Sequence, residues 1–209
     1  MQNNYDPIAG IYDPLSRLFF FNAQVSAQRS LLPYISENSR ILIVGGGTGW
    51  ILEDLAHLHP SGLTITYVEI SQKMLALSEK RDVKNNKVFY VNQAIEDYDL
   101  IAQHECIITA FLFDNFSEER ASAVFKQLNT GLKQNGLWLF TDFSLRKSSG
   151  KYWQRLMLDT MYWFFKKICH VEAGALIDME PFFEANAYRK VFETYRYGRF
   201  IKSIVYKKG

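Results

Sequence analysis

Cysteine is scarce in this 209-residue sequence, with Cys106 in an apolar strand-like run and Cys169 at the end of an aromatic segment. Two residues so placed form neither a disulfide framework nor a metal-ligand pattern, which argues against a stapled secreted scaffold and for buried thiols in a reducing compartment. Histidine is nearly as rare. His57, His59, His104 and His170 have no metal-binding spacing, so no metal is expected. An excess of one charge is also missing: 24 basic and 22 acidic residues leave a formal charge of +2, too weak a field to recruit nucleic acid. No uncharged run approaches the length of a membrane span, and the opening Met-Gln-Asn-Asn-Tyr-Asp has no basic stretch leading into an apolar one. The expected location is cytoplasmic.

What is abundant is apolar and aromatic character, 48% and 15% of the residues, enough to bury a substantial core in one domain with an elaboration. Strand-like runs alternate with helical patterns through the first two thirds, the form taken by βαβ units and hence by a mostly parallel sheet. A Phe-rich leading helix is expected over Leu15 to Ile35, then a strand at Arg40–Val44 and a helix from about Gly49 to Leu58. Pro60-Ser61-Gly62 breaks the chain before a second strand at Leu63–Glu69, and Ser71 can cap a helix reaching about Arg81. Further strands are expected at Val88–Asn92, Cys106–Phe111 and Leu137–Asp142, the last after a turn at Asn135-Gly136. Ser117-Glu118-Glu119-Arg120 opens a helix with acids in its first turn, where they suit the helix dipole. Lys151 to Cys169 reads as another helix. Val191–Tyr197 and Phe200–Tyr206 flank Gly198-Arg199 as a hairpin. Five strands and a hairpin make an α/β, doubly wound sheet of seven strands with an antiparallel end.

The most informative stretch is Arg40 to Trp50, Arg-Ile-Leu-Ile-Val-Gly-Gly-Gly-Thr-Gly-Trp, an apolar strand running into a glycine turn and a helix. Glycines there leave room for a ligand against the backbone, and the helix start offers free N–H groups. A dinucleotide fingerprint, G-x-G-x-x-G/A from Gly45, needs a small residue at position 50, where this chain has Trp50. The pattern present is G-x-G-x-G. Twenty positions beyond Gly49 lies Glu69 at the end of the second strand, placed to accept hydrogen bonds from both hydroxyls of a ribose. Taken singly, the acid could be a solvated helix-entry carboxylate and the glycines an ordinary turn. Their coincidence at the ends of adjacent strands favours a cofactor site.

These residues resemble the class I S-adenosylmethionine-dependent methyltransferases, a likeness covering about Ile41 to Phe143. Val-Gly-Gly-Gly-Thr-Gly is similar to the family's first motif and Val-Glu-Ile-Ser to its second. The resemblance implies a Rossmann-like fold, S-adenosylmethionine as cofactor with S-adenosylhomocysteine as product, and cofactor contacts from Gly45, Gly46, Gly47, Gly49, Glu69, Ile70 and Phe111. Asn92-Gln93-Ala94-Ile95-Glu96 resembles the segment that holds adenine, with Gln93, Ala94 and Ile95 as its candidates. Two departures stand out: Gln93 replaces an acid that usually precedes the alanine, and Ile43 replaces the Asp or Glu that many members carry two residues before the first glycine.

The acceptor side is less legible. Ala110-Phe111-Leu112-Phe113-Asp114-Asn115-Phe116 resembles the corresponding segment of the ubiquinone and menaquinone methyltransferases, and Asp114 either orients substrate or caps the Ser117 helix. Asp142-Phe143 has the same ambiguity. Residues 1–39 form an amino-terminal segment and leading helix before a methyltransferase domain at 40–209, with a helical insertion at about 146–186. Tyr5-Asp6-Pro7 and Tyr12-Asp13-Pro14 suit either a lid or a surface arm, and Tyr12 is the candidate contact to the methyl acceptor. The aromatic helix at 151–169 places Leu156, Thr160, Trp163 and Lys167 on one face and Trp153, Met157, Met161 and Phe164 on another. It is either core or the wall of a pocket for a flat or lipid-like acceptor. Arg155, Lys166 and Lys167 would suit weak contact with a membrane surface. The expected partner is a small molecule, and the oligomeric state stays open. Oxidoreduction with a nicotinamide or flavin and non-catalytic binding of S-adenosylmethionine are the alternatives.

Overall fold

A computed structural model describes residues 6–11, 13–14, 20, 22–101, 103–144, 152–169 and 176–209, and the side chains at 153, 161–166 and 169 lie outside that description. Tyr5, Tyr12 and Cys169 as a thiol therefore fall outside the described part. Seven strands form one sheet: β1 (Arg40–Val44), β2 (Ser61–Val68), β3 (Asn85–Val91), β4 (His104–Ala110), β5 (Leu132–Phe143), β6 (Tyr188–Arg196) and β7 (Ile201–Lys208). Their order is β3-β2-β1-β4-β5-β7-β6, with β1 to β5 parallel and β7 antiparallel to both of its neighbours.

β1 is apolar without alternation because both of its faces are covered. Leu42 and Val44 face one side with Ile107, Trp138 and Phe140, while Ile41 and Ile43 face the other with Ile65, Tyr67 and Ile108. The first side is closed by a helix at Glu118–Gly131 and a short one at Glu180–Ala185, the second by helices at Trp50–Leu58 and Gln72–Ser78. In chain order the helices are α1 (Ala23–Arg29), α2 (Trp50–Leu58), α3 (Gln72–Ser78), α4 (Glu118–Gly131), α5 (Tyr152–Cys169) and α6 (Glu180–Ala185). Trp138 is fully buried, lies parallel to Phe125 at 5.1 Å, and donates its indole N–H to Thr109 Oγ1 at 2.8 Å. Burying a side chain of that size contributes about 1.5–3 kcal/mol or more, and the hydroxyl keeps its one polar atom satisfied.

Several boundaries depart from the expected ones for identifiable reasons. The described part of the leading helix stops at Arg29, and a 3-10 turn at Leu32–Tyr34 follows, because Pro33 cannot continue an α-helical ladder. Asn135 takes a left-handed φ of 62° inside β5, so the Asn-Gly pair is an irregularity in a longer strand instead of its start. The hairpin loop has four residues, Tyr197 to Phe200, not two. Tyr197, Gly198 and Arg199 all have positive φ, which turns the fully buried Phe200 ring onto Phe143 at 5.0 Å.

The α5 helix has a narrow buried seam in its described part. Gln154 and Leu158 are buried one turn apart, with Gln154 Nε2 donating to the Gly198 carbonyl at 2.9 Å, while Tyr152 and Leu156 are exposed. The expected face through Leu156, Thr160 and Lys167 is a solvent face in its described members, and Trp153, Met161, Trp163, Phe164 and Lys166 lie outside the described side chains. No described helix is long and apolar enough to cross a membrane. Among the described residues no cluster of His, Cys, Asp and Glu could hold a metal.

Candidate functional site

In an open parallel sheet the crevice forms where strand order reverses, at the carboxyl ends of the strands flanking that point. Here those strands are β1 and β4, and a cavity opens over their ends. Its floor is Ile43, Val44 and Ile108, its rim Ala110, Phe111 and Leu112, and its neighbouring wall Val68, Glu69 and Ile70.

The glycine turn is shaped by what lies beneath it. A Cβ on Gly46 would sit 2.4 Å from the Tyr67 ring, which is fully buried under the loop and donates its hydroxyl to the Gly47 carbonyl at 2.9 Å. Gly49, with φ of 78°, is the N-cap of α2, and a Cβ there would meet Ser78 of α3 at 2.4 Å. Glycine is thus a packing requirement at Gly46 and both a packing and a conformational one at Gly49.

Glu69 is 4% exposed and accepts from the backbone N–H of Gly47 at 2.9 Å through one oxygen and of Ser71 at 2.9 Å through the other. Burial raises its pKa above the ordinary carboxylate value, and these backbone donors work against that shift. Each carboxylate oxygen has a second lone-pair direction, so the group can still accept from two neighbouring hydroxyls. Ser71 accepts from Met74 N at 3.2 Å as the N-cap of α3, as expected from sequence.

All but one of the candidate cofactor residues line this cavity: Gly45, Gly46, Gly47, Glu69, Ile70, Gln93, Ala94, Ile95 and Phe111. Gly49 does not; it sits behind the turn against α3. Phe111 adopts φ of 52°, an uncommon conformation for a bulky residue, costing on the order of 1–3 kcal/mol and placing its ring on Phe143 at 4.8 Å. Asp114, the substrate-side candidate, lies beside the cavity-lining Asn115, whose amide donates to it at 2.8 Å. It is buried in the 3-10 turn Phe113–Asn115, is absent from the cavity lining, and does not cap α4, because Ser117 Oγ itself accepts from Arg120 N at 3.3 Å. Asp114 lies instead against Asp142. Burial pushes Asp114 up to about 7, and burial followed by the Asp114 charge pushes Asp142 well above the carboxylate range. Tyr12 falls outside the described residues.

From the first thirty residues, sequence reasoning singled out Tyr12 within a lid or surface arm and missed Asp13, Gln24, Val25 and Gln28. Asp13, Gln24, Val25 and Gln28 line the cavity from above. Asp13 accepts from Thr48 Oγ1 at 2.8 and 2.9 Å, and Asp6 accepts from Ser71 Oγ at 2.5 Å and Lys73 N at 3.1 Å. Between these two anchors Ile8 and Ala9 are buried. The paired spacing of Gln24 and Gln28, one helical turn apart, was the available signal for a shared polar face.

Residues 41–136 match a family model described as a methyltransferase domain. Over 149 residues the chain is 30% identical to malonyl-[acyl-carrier protein] O-methyltransferase of Bacillus anthracis, covering 68% of this chain and 52% of that one. It is 27% identical over 150 residues to the ubiquinone/menaquinone biosynthesis C-methyltransferase UbiE of Geotalea daltonii, covering 69% and 63%. These matches support a class I S-adenosylmethionine-dependent methyltransferase. The chain spans about half to under two thirds of the length of these curated relatives. The fold agrees with that of an O-methyltransferase family 2 protein from Planctomyces limnophilus, solved in complex with apigenin, at a TM-score of 0.71 and 14% identity over 96% of this chain and 62% of that one.

The family's cofactor is S-adenosylmethionine, and the donor set fits it. A buried carboxylate faces the cavity beside a turn free of side chains, and Ile95 and Phe116 supply an apolar slot for a base. The titratable lining among the described residues is Asp13, Glu69, Glu96 and Arg120. Three acids against one guanidinium suit a ligand that carries positive charge.

Proposed function

We propose that this chain transfers a methyl group from S-adenosylmethionine to a small acceptor of aromatic or lipid-like character. The observation that carries this reading is the junction of the glycine turn and the doubly anchored Glu69 carboxylate at the sheet's switch point. Glu69 would accept from the ribose hydroxyls, with Gly45, Gly46 and Gly47 presenting backbone to the amino-acid end. Gln93, Ala94 and Ile95 would border adenine, whereas Gly49 would act only by holding the turn against α3. When bound, the cofactor supplies an electrophilic methyl on a sulfonium. The remaining work is orientation, since holding two reactants in line is worth effective molarities of ~10⁵ M or more, and no strongly activated base is needed.

The character of the acceptor is argued from the far side of Phe111. Its ring joins Phe143, which packs on Phe20 at 5.3 Å and on Phe200 at 5.0 Å, so Phe111 presents to the cavity the edge of a buried aromatic cluster. An apolar edge of this kind favours a flat apolar acceptor over a charged one. Asn115, which lines the cavity and whose amide donates to the Phe111 carbonyl at 2.8 Å, would fix the strained turn carrying that ring.

The test pairs two measurements. Calorimetry with S-adenosylhomocysteine should give saturable binding, and incubation with methyl-labelled S-adenosylmethionine should label members of a panel of phenols, quinols and lipids. Binding of NAD or NADP in preference to S-adenosylhomocysteine would overturn the cofactor reading. Label passing only to charged, non-aromatic acceptors would overturn the acceptor class.

A further inference from the structure

A ligand that ends in a protonated amine needs an anion at that end of its site, because burying an unpaired ammonium is costly. The floor of the cavity next to the glycine turn does not provide one: Ile43 and Val44 are apolar and buried. Among the described residues the carboxylates lining the cavity are Asp13, Glu69 and Glu96. Glu69 accepts from Gly47 and Ser71 at the end of β2, and Glu96 is ion-paired with Arg120 beside the Gln93–Ile95 segment. Glu69 and Glu96 are thus engaged at the ends of β2 and β3, whereas Asp13 is held at the C-terminal end of the glycine turn by the hydroxyl of Thr48, the residue after Gly47.

The charge on Asp13 is only partly compensated. Arg81 Nη2 lies 3.5 Å from Asp13 while its Nη1 lies 3.5 Å from Glu53, so one guanidinium serves two carboxylates and the group keeps a net negative charge. Arg81 is in turn fixed by donating from Nε to the Thr48 carbonyl at 2.9 Å. Asp13 is about 29% exposed, open enough to meet a ligand and enclosed enough for its charge to count.

We infer that Asp13 is the anionic partner for the primary amine of the cofactor's amino-acid end. This rests on the cofactor reading above. It assigns to the arm the role of an acid that the apolar β1 does not carry, and it makes the arm part of the binding site. Asp6, at the far anchor on Ser71 and Lys73, holds the arm in place without touching the cavity.

The experiment compares two ligands that differ only at the amino-acid end. S-adenosylhomocysteine carries the amine, and 5′-methylthioadenosine keeps the adenosine and thioether but lacks it. With the wild-type chain both should bind in calorimetry. Asp13→Asn should weaken S-adenosylhomocysteine at least tenfold and 5′-methylthioadenosine less than twofold, and Asp13→Ala should discriminate the same way. Asp6→Asn, which loosens the arm without altering cavity charge, should change the two ligands by the same factor. Equal loss of both ligands in Asp13→Asn, or no loss of either, would overturn the assignment and leave Asp13 a tether for the arm. Failure of the wild-type chain to bind either ligand would instead overturn the cofactor reading itself.

Discussion

At the scale of single residues, a few side chains carry most of what can be tested. Glu69 is buried, and its oxygens are pre-aimed by two backbone donors. Glu69→Ala should weaken S-adenosylhomocysteine binding at least tenfold by calorimetry, because the ribose would lose its acceptor and Gly47 its fixed position; unchanged affinity would remove the residue from the site. The Asp114 and Asp142 pair makes a separate prediction about pH. Burial raises Asp114 from the ordinary 3.8 to about 7, so its protonated form is the one the fold favours. The stability it contributes is fully present below about 4 and is lost as pH rises through about 7. Asp114→Asn, which keeps the shape and removes the charge, should therefore unfold at higher temperature than the parent at pH 8, with the difference closing towards pH 4. Thermal melts across that range check it, and a constant offset would speak against the shared-burial account. These two acids were legible in sequence only as loop residues at strand ends. That the 3-10 turn at Phe113–Asn115 buries Asp114 against Asp142 of β5 is a contact between residues far apart in the chain, which neighbouring residues do not dictate.

At the scale of elements, local rules carried further. Ser71 caps α3 as expected, α4 is capped by Ser117 and not by Asp114, and β1 has the expected bounds of Arg40–Val44. The misses fall where distant contacts override local preference. The hairpin loop is longer than its Gly198-Arg199 signal because Phe200 is drawn into the cluster of Phe20 and Phe143. The β4–β5 pair offers a direct test of such cross-strand dependence, since Thr109 on β4 is the acceptor for the Trp138 indole on β5. Thr109→Val is nearly isosteric yet leaves a buried N–H without its acceptor, and should lower stability by about 1–3 kcal/mol in denaturant unfolding. A change below about half a kcal/mol would mean that another group takes over the indole.

At the scale of the whole molecule, the strand order sets the site. Reversal between β1 and β4 opens the crevice, Asp13 reaches it from the amino-terminal segment, and Phe111 joins it to the aromatic cluster of Phe20, Phe143 and Phe200. A ligand that binds only this assembled state should stabilise all of it. At a hundredfold excess over its dissociation constant, S-adenosylhomocysteine should add about 2.7 kcal/mol, and for a chain of this size raise the melting temperature by roughly 5–10 °C. By itself the sequence determined the strand, turn and acid of the candidate cofactor site, because glycine geometry, helix caps and apolar runs act over a few neighbouring residues. Only the tertiary structure decided that Asp13 meets Thr48 beside the glycine turn, that Tyr67 supports the turn from below, and that Asp114 is buried against Asp142. Those three outcomes depend on contacts between residues far apart in the chain, made when the sheet closes its two faces.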